Sequence, residues 1–100
     1  MKVDLNPNEQ VIKAGEAQHL NGNKTSGKLI ATNQRICFKS HSELSGSVIE
    51  ILPSTIREVL PFRTSWLVSN GLNIITKEGK EWMFLVKGRG DWEKLINSMY

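Results

Sequence analysis

The chain has 100 residues, of which 39% are hydrophobic and 23% charged, a balance typical of a globular domain and not of a disordered or fibrous protein. Thirteen lysines and arginines against ten acidic residues give a formal net charge of +3, without the dense basic cluster expected of a nucleic-acid-binding protein. No apolar segment is long enough to span a membrane or to act as a signal peptide, and a single cysteine excludes an internal disulfide, so we expect a cytoplasmic protein stabilised by its core.

The first third of the chain is predicted to hold a strand and a β-hairpin. We expect one domain over residues 1–100, with 1–8 a short N-terminal extension and 14–20 a first strand. Between 28 and 39, apolar and polar residues alternate on both sides of Asn33 and Gln34, and asparagine tolerates the backbone of a tight turn. The side chains predicted to share the buried face of this hairpin are Leu29, Ala31, Ile36 and Phe38.

The middle of the chain is predicted to continue as strands separated by turns. Residues 40–47 are polar and are expected to form a loop, and 48–52 form a strand that Pro53 ends. Residues 56–62 form another strand, in which Pro61 indicates an edge or a bend. After a turn at 69–71, a second hairpin is centred on Glu78 and Gly79. Its core-facing side chains are Leu72, Ile74 and Thr76 on one strand and Trp82, Phe84 and Val86 on the other.

The last residues are predicted to form an amphipathic helix with Asp91 as its N-cap. Its apolar stripe has the spacing i, i+3, i+4, i+7 and consists of Trp92, Leu95, Ile96 and Met99. About seven antiparallel strands are more than one flat sheet of this size would bury well, so the sheet should bend on itself with the helix over an opening. The predicted fold is therefore mainly β, a small barrel or sandwich capped by one C-terminal helix.

Two segments resemble GRAM domains and bacterial pleckstrin-homology-like domains. GKLIATNQRICF at 27–38 is similar to the family pattern G-x-L-x-L-T-x-x-R-L-x-F, with Ala31 as a small departure, and SNGLNIITKEGKEWMF at 69–84 is similar to a later strand-turn-strand segment. The resemblance covers about residues 9 to 99. It implies a PH-like split barrel of seven strands in two nearly orthogonal sheets, closed at one end by the helix.

No catalytic or metal-binding constellation is present in the sequence, so we expect a non-enzymatic protein without a cofactor. The two histidines, His19 and His41, do not have a metal-ligand spacing to Cys37 or to a carboxylate. Cys37 is interpreted as a passive small side chain. Arg35 opens the second strand of the first hairpin and is interpreted as structural, as the family motif also implies.

The resemblance implies a binding site at the open end of the barrel, because GRAM and PH-like domains that bind phosphoinositides hold them among the loops there. The candidate anion-binding residues on these loops are Lys24, Lys39, His41, Lys77 and Lys80. The main hypothesis is a binding module that associates weakly with anionic membrane lipid, a cytoplasmic protein at the membrane periphery. The alternative is a protein-interaction or self-association module that uses a sheet edge marked by Pro61, or the surface around Trp66 and Leu67, unless these apolar residues fold back to seal the barrel.

Overall fold

The computed structural model describes residues 5–41, 48–63 and 70–100. These residues form seven strands, a 3₁₀ turn at Pro53–Thr55 and one α-helix. The strands are β1 Val11–Leu20, β2 Lys24–Thr32, β3 Ile36–Ser40, β4 Val48–Ile51, β5 Ile56–Phe62, β6 Gly71–Thr76 and β7 Glu81–Val86, and the helix α1 spans Arg89–Asn97. The predicted fold class, seven antiparallel strands followed by a C-terminal helix, is confirmed.

All seven strands belong to one antiparallel sheet with the order β4-β3-β2-β1-β7-β6-β5. The resemblance implied two sheets, but β1 pairs along its whole length with β2 and through Ala17–Leu20 with β7, and so joins the two halves. β1 also begins at Val11, three residues before the predicted start. Pro61 lies in the edge strand β5, as expected for a residue that cannot donate a backbone hydrogen bond.

One face of the curved sheet and one side of α1 enclose the core. The predicted buried face of the first hairpin is confirmed, since Leu29, Ala31 and Ile36 are fully buried and Phe38 is 3% exposed. Cys37 and Thr32 are also fully buried although they lie on the opposite face. The period-two pattern could not predict this, because the cover over that face comes from side chains distant in sequence, described below.

Helix α1 closes the core with Trp92 and Ile96, both at most 2% exposed. The prediction that Asp91 is the N-cap is wrong: the cap position is Gly88, and no side chain caps the helix. Gly88 has a φ of 67°, a left-handed conformation that glycine adopts without steric cost and that turns the chain into the helix. Asp91 therefore lies in the first turn, where its negative charge interacts favourably with the helix dipole.

Gly27 opens the first family-like motif because the strands approach closely there. A Cβ at this position would collide with the Lys39 carbonyl oxygen and would lie 2.6 Å from Cζ of Phe38. Phe38 occupies this space on the inner face and so reaches the aromatic cluster described next. The glycine thus permits the packing that builds the floor of the candidate site.

Candidate functional site

Three strand connections lie beside one another and form what we call the open end. The β1–β2 turn at 21–23 follows Leu20, whose partner in β7 is Met83, so the β6–β7 turn at 77–80 lies next to it. The N–H of His41 donates to the carbonyl of Ser26 at 3.0 Å, which places the start of the β3–β4 connection beside the first residues of β2. Residues 42–47 lie outside the part of the chain that the structure describes.

An aromatic cluster centred on His19 forms the floor of the open end. The centroid of the His19 ring lies 5.2 Å from that of Phe84, 5.7 Å from that of Trp82 and 5.8 Å from that of Phe38. His19 is 7% exposed, whereas Trp82 is only half-buried and reaches toward the surface. His19 could not be selected from the sequence, apart from its placement two residues after the core residue Ala17.

Lys80 stands at the rim of this cluster. Its Nζ lies 4.2 Å from the centroid of the Trp82 ring, a cation–π contact that holds the ammonium group over the aromatic face. The turn is fixed by Thr76, whose N–H donates to the Lys80 carbonyl at 2.9 Å and whose Oγ1 accepts from the Lys80 N–H at 3.1 Å. In the same turn, the N–H of Lys77 donates to the carbonyl of Thr55 at 2.8 Å.

Burial and positive charge together disfavour protonation of His19. Desolvation lowers the pKa of the imidazole below its ordinary value, and the nearby Lys80 ammonium lowers it further. The floor of the open end is therefore neutral at physiological pH, while its rim is cationic. An anion bound at the rim would offset the effect of Lys80 and raise the pKa of His19.

The candidate anion-binding residues fall into two groups. Lys77 and Lys80 lie on the β6–β7 turn and are exposed. The second group lies away from the aromatic floor. Alternation along the strands places Lys24 and Lys39 on the face opposite the core. His41 is engaged by Glu16, since its Nε2 lies 2.7 Å from Oε2 of that residue. The structure thus brings only Lys80 into contact with the aromatic floor. Trp66 and Leu67, the other candidates, lie at 64–69, outside the described residues.

A second polar cluster, which we call the N-terminal clasp, holds residues 5–10 against the β2–β3 turn at 32–35. Arg35 donates from Nε to Glu9 Oε2 at 2.9 Å and from Nη2 to Glu9 Oε1 at 3.0 Å, and it also contacts Glu50. The hydroxyl of Thr32 donates to Glu9 Oε2 at 2.6 Å. This arrangement supports the structural interpretation of Arg35, and the partner Glu9, 26 residues away in sequence, was not predicted.

The clasp shifts the protonation equilibria of the groups that it buries. The hydrogen bonds from Arg35 lower the pKa of Glu9 to about 2, against the opposing effect of burial, and the same partners raise the pKa of Arg35. Burial raises the pKa of the Cys37 thiol, whose cross-strand partner is Glu50. A thiol with a raised pKa is a poor nucleophile, which agrees with the passive role expected of Cys37.

The described residues contain no group of three or more histidine, cysteine or acidic side chains placed to hold a metal ion. Over the same residues, no helix has the length and apolar character needed to cross a membrane.

No protein-family model and no curated protein matches the chain in sequence. Solved structures do match. The C-terminal domain of an unknown protein from Leishmania infantum has 16% identity and a TM-score of 0.80, covering 93% of this chain and 85% of that one. The N-terminal PH domain of Vps36 has 13% identity and a TM-score of 0.72, covering 95% of this chain and 84% of that one. The N-terminal PH domain of human ARAP2 has 18% identity and a TM-score of 0.60, covering 87% of this chain and 76% of that one. At these identities the likeness establishes the fold: the chain has a pleckstrin-homology-like fold.

Proposed function

We propose that this chain is a non-catalytic binding module that attaches weakly to membrane surfaces through anionic lipid headgroups held at the open end. The observation that carries the proposal is the Lys80 ammonium fixed over Trp82 beside the neutral His19. A half-buried indole with a cation over its face suits the boundary between lipid headgroups and acyl chains, because one side is apolar and the other polar.

The other basic residues around the open end support the same function. Lys77 is exposed on the β6–β7 turn and Lys24 is exposed at the start of β2, and both would add attraction to an anionic surface. Glu81, close to the same turn, accepts a hydrogen bond from Asn73 Nδ2 at 2.7 Å, so its carboxylate is directed toward the sheet. Lys39 and His41 lie on the outer face and would contribute through long-range attraction.

The family assignment and the location are part of the same proposal. The motifs at 27–38 and 69–84 support a GRAM-type member of the PH-like fold. PH-like folds carry several unrelated functions, so the functional inference depends on the site and not on the fold. A module of this kind would reside in the cytoplasm and reach the membrane periphery by reversible attachment.

The proposal is tested by sedimentation with vesicles of phosphatidylcholine alone, with added phosphatidylserine, and with an added phosphoinositide. We expect binding only to the anionic vesicles, with a loss of binding as salt rises, because exposed charges are screened. Each lysine at an anionic surface contributes about 1 kcal/mol. The double variant Lys77→Glu, Lys80→Glu should therefore weaken binding by at least about 30-fold.

The matched control is Lys87→Glu with Lys94→Glu, which reverses the same number of charges at exposed positions on or next to α1. If both double variants lose affinity equally, binding reflects net charge and the open end is not the site. Equal binding of the unaltered protein to neutral and anionic vesicles, or to neither, would contradict the proposal.

A further inference from the structure

A groove separate from the open end runs along the first half of β1. One wall is formed by residues 13–18 of β1, and the other by 85–88, at the end of β7 and the start of the helix connection, with Trp92 of α1. Its volume is about 780 Å³, within the range of peptide-sized and ligand-sized sites. Trp92 also lies below Lys13, whose Nζ is 5.4 Å from the centroid of the indole ring.

The groove exists because β1 is longer than the strand that pairs with it. β1 pairs with β2 from Val11 to Leu20, but with β7 only from Ala17 to Leu20. Among the described residues, nothing pairs with the other side of β1 before Ala17. A central strand therefore has a free edge, four residues long at 13–16, that faces the groove.

The register shows which backbone groups of this edge are free. The N–H of Thr32 donates to Arg35 and the carbonyl of Ser26 accepts from His41, so even-numbered residues of β2 direct their backbone groups toward β3. Odd-numbered residues of β2 consequently face β1, where their partners are also odd-numbered, as in the pair Leu29 and Gly15. The N–H and C=O groups of Ala14 and Glu16 thus point into the groove.

The shape and charge of the groove decide what can occupy it. A second copy of the chain would bring the same two lysines to the same edge, and like charges would oppose pairing. The ionisable side chains in the lining are Lys13 and Lys87, against Glu16, which is engaged by His41. Above the groove, Val11 and Ile12 are about half exposed and extend the edge with apolar surface.

From these features we infer that the groove binds an extended acidic segment of a partner protein as an added β-strand on Ala14 and Glu16. Backbone hydrogen bonds to these two residues would supply affinity, as in other complexes in which a peptide extends a sheet. Lys13 and Lys87, the basic side chains in the lining, would favour acidic residues in the segment. This surface would remain available while the open end contacts a membrane.

The test uses a capped hexapeptide of alternating valine and glutamate, titrated into the ¹⁵N-labelled full chain. We expect amide shifts at Ala14, Glu16 and Gly88. Two further peptides separate the contribution of charge from that of backbone hydrogen bonds. One has lysine in place of glutamate, and one is N-methylated at the positions whose N–H groups would donate to β1. Loss of two backbone hydrogen bonds, at about 1 kcal/mol each, should weaken binding by about 30-fold.

Variants of the chain test the same surface. Ala14→Pro removes the N–H that faces the groove without touching the β2 ladder and should weaken binding about fivefold, whereas Ala14→Val retains the N–H and should bind. Should Ala14→Pro fail to fold, the N-methylated peptide and Lys87→Glu carry the test. Equal binding of the N-methylated peptide, a preference for the lysine peptide, or no shifts at Ala14 and Glu16 with any peptide would overturn the inference.

Discussion

The N-terminal clasp and the open end lie at opposite ends of the β1–β2 hairpin and differ in whether their basic side chain is paired with a carboxylate. At the clasp, Arg35 is 9% exposed and meets two carboxylates, so the cation is neutralised where it is buried. At the open end, Lys80 is exposed and lies over an aromatic ring instead of a carboxylate. A buried charge paired within the chain destabilises the fold when its partner is removed, while one held at the surface next to an apolar group remains available to a ligand.

The same comparison explains why the arginine of the family-like motif is not part of the candidate site. Both nitrogens of Arg35 that face Glu9 donate to it at 3.0 Å or less, and the third contacts Glu50. Binding an external anion there would require breaking a buried ion pair. The clasp is therefore expected to respond to mutation through stability, and the open end through binding.

The largest effect is expected from Arg35→Met, which leaves Glu9 buried without its counter-charge. Removing one partner of a buried ion pair costs about 3–5 kcal/mol, to be measured as the free energy of unfolding in urea. The matched control is Arg57→Met, because Arg57 pairs at 3.2 Å with Glu58 at the surface and should contribute at most about 1 kcal/mol. Adding Glu9→Gln to Arg35→Met should recover part of the lost stability. Similar costs for Arg35→Met and Arg57→Met would show that the buried ion pair contributes no more than the exposed one.

A smaller effect is expected when acid titrates the clasp. The pKa of Glu9 is lowered from 4.5 to about 2, so the unfolded chain binds more protons between these values. The stability that Glu9 provides is complete above about pH 4.5 and is lost as pH falls toward 2. Across this range the free energy of unfolding should depend less steeply on pH in Glu9→Gln than in the unaltered chain. In Glu78→Gln, an exposed control, the slope should be unchanged. An unchanged slope in Glu9→Gln would assign acid sensitivity to other groups.

The smallest effect is expected at the floor of the open end. The folded-state pKa of His19 is lowered, so the unfolded state takes up its proton first, and stability should decrease modestly as pH falls below about 6.5. His19→Phe should abolish this decrease, whereas His41→Gln should retain it. Chemical unfolding between about pH 7.5 and about pH 5.5 provides the measurement. A decrease that survives in His19→Phe would show that the cluster does not carry this pH dependence.

Much of the fold could be predicted because its signals are local. Alternating residues around Asn33 and around Gly79 define both hairpins, and the stripe from Trp92 to Met99 defines the helix. The N-cap was misassigned because a left-handed glycine and a capping aspartate both mark a helix start, and only the backbone conformation of Gly88 decides between them. Of the candidate site, Lys77 and Lys80 were selected because the resemblance places a ligand among these loops, and the ring that holds Lys80 was not predicted.

By itself, the sequence determined the class of fold, the strand alternation and the positions of the turns, because each depends on residues a few places apart. Tertiary structure alone decided which distant groups meet: Glu9 with Arg35, His19 with Trp82, and the free edge of β1 with the wall formed by Trp92. These contacts depend on register and on how one long strand is shared between two unequal neighbours. Register is a property of paired strands, so no single segment encodes it.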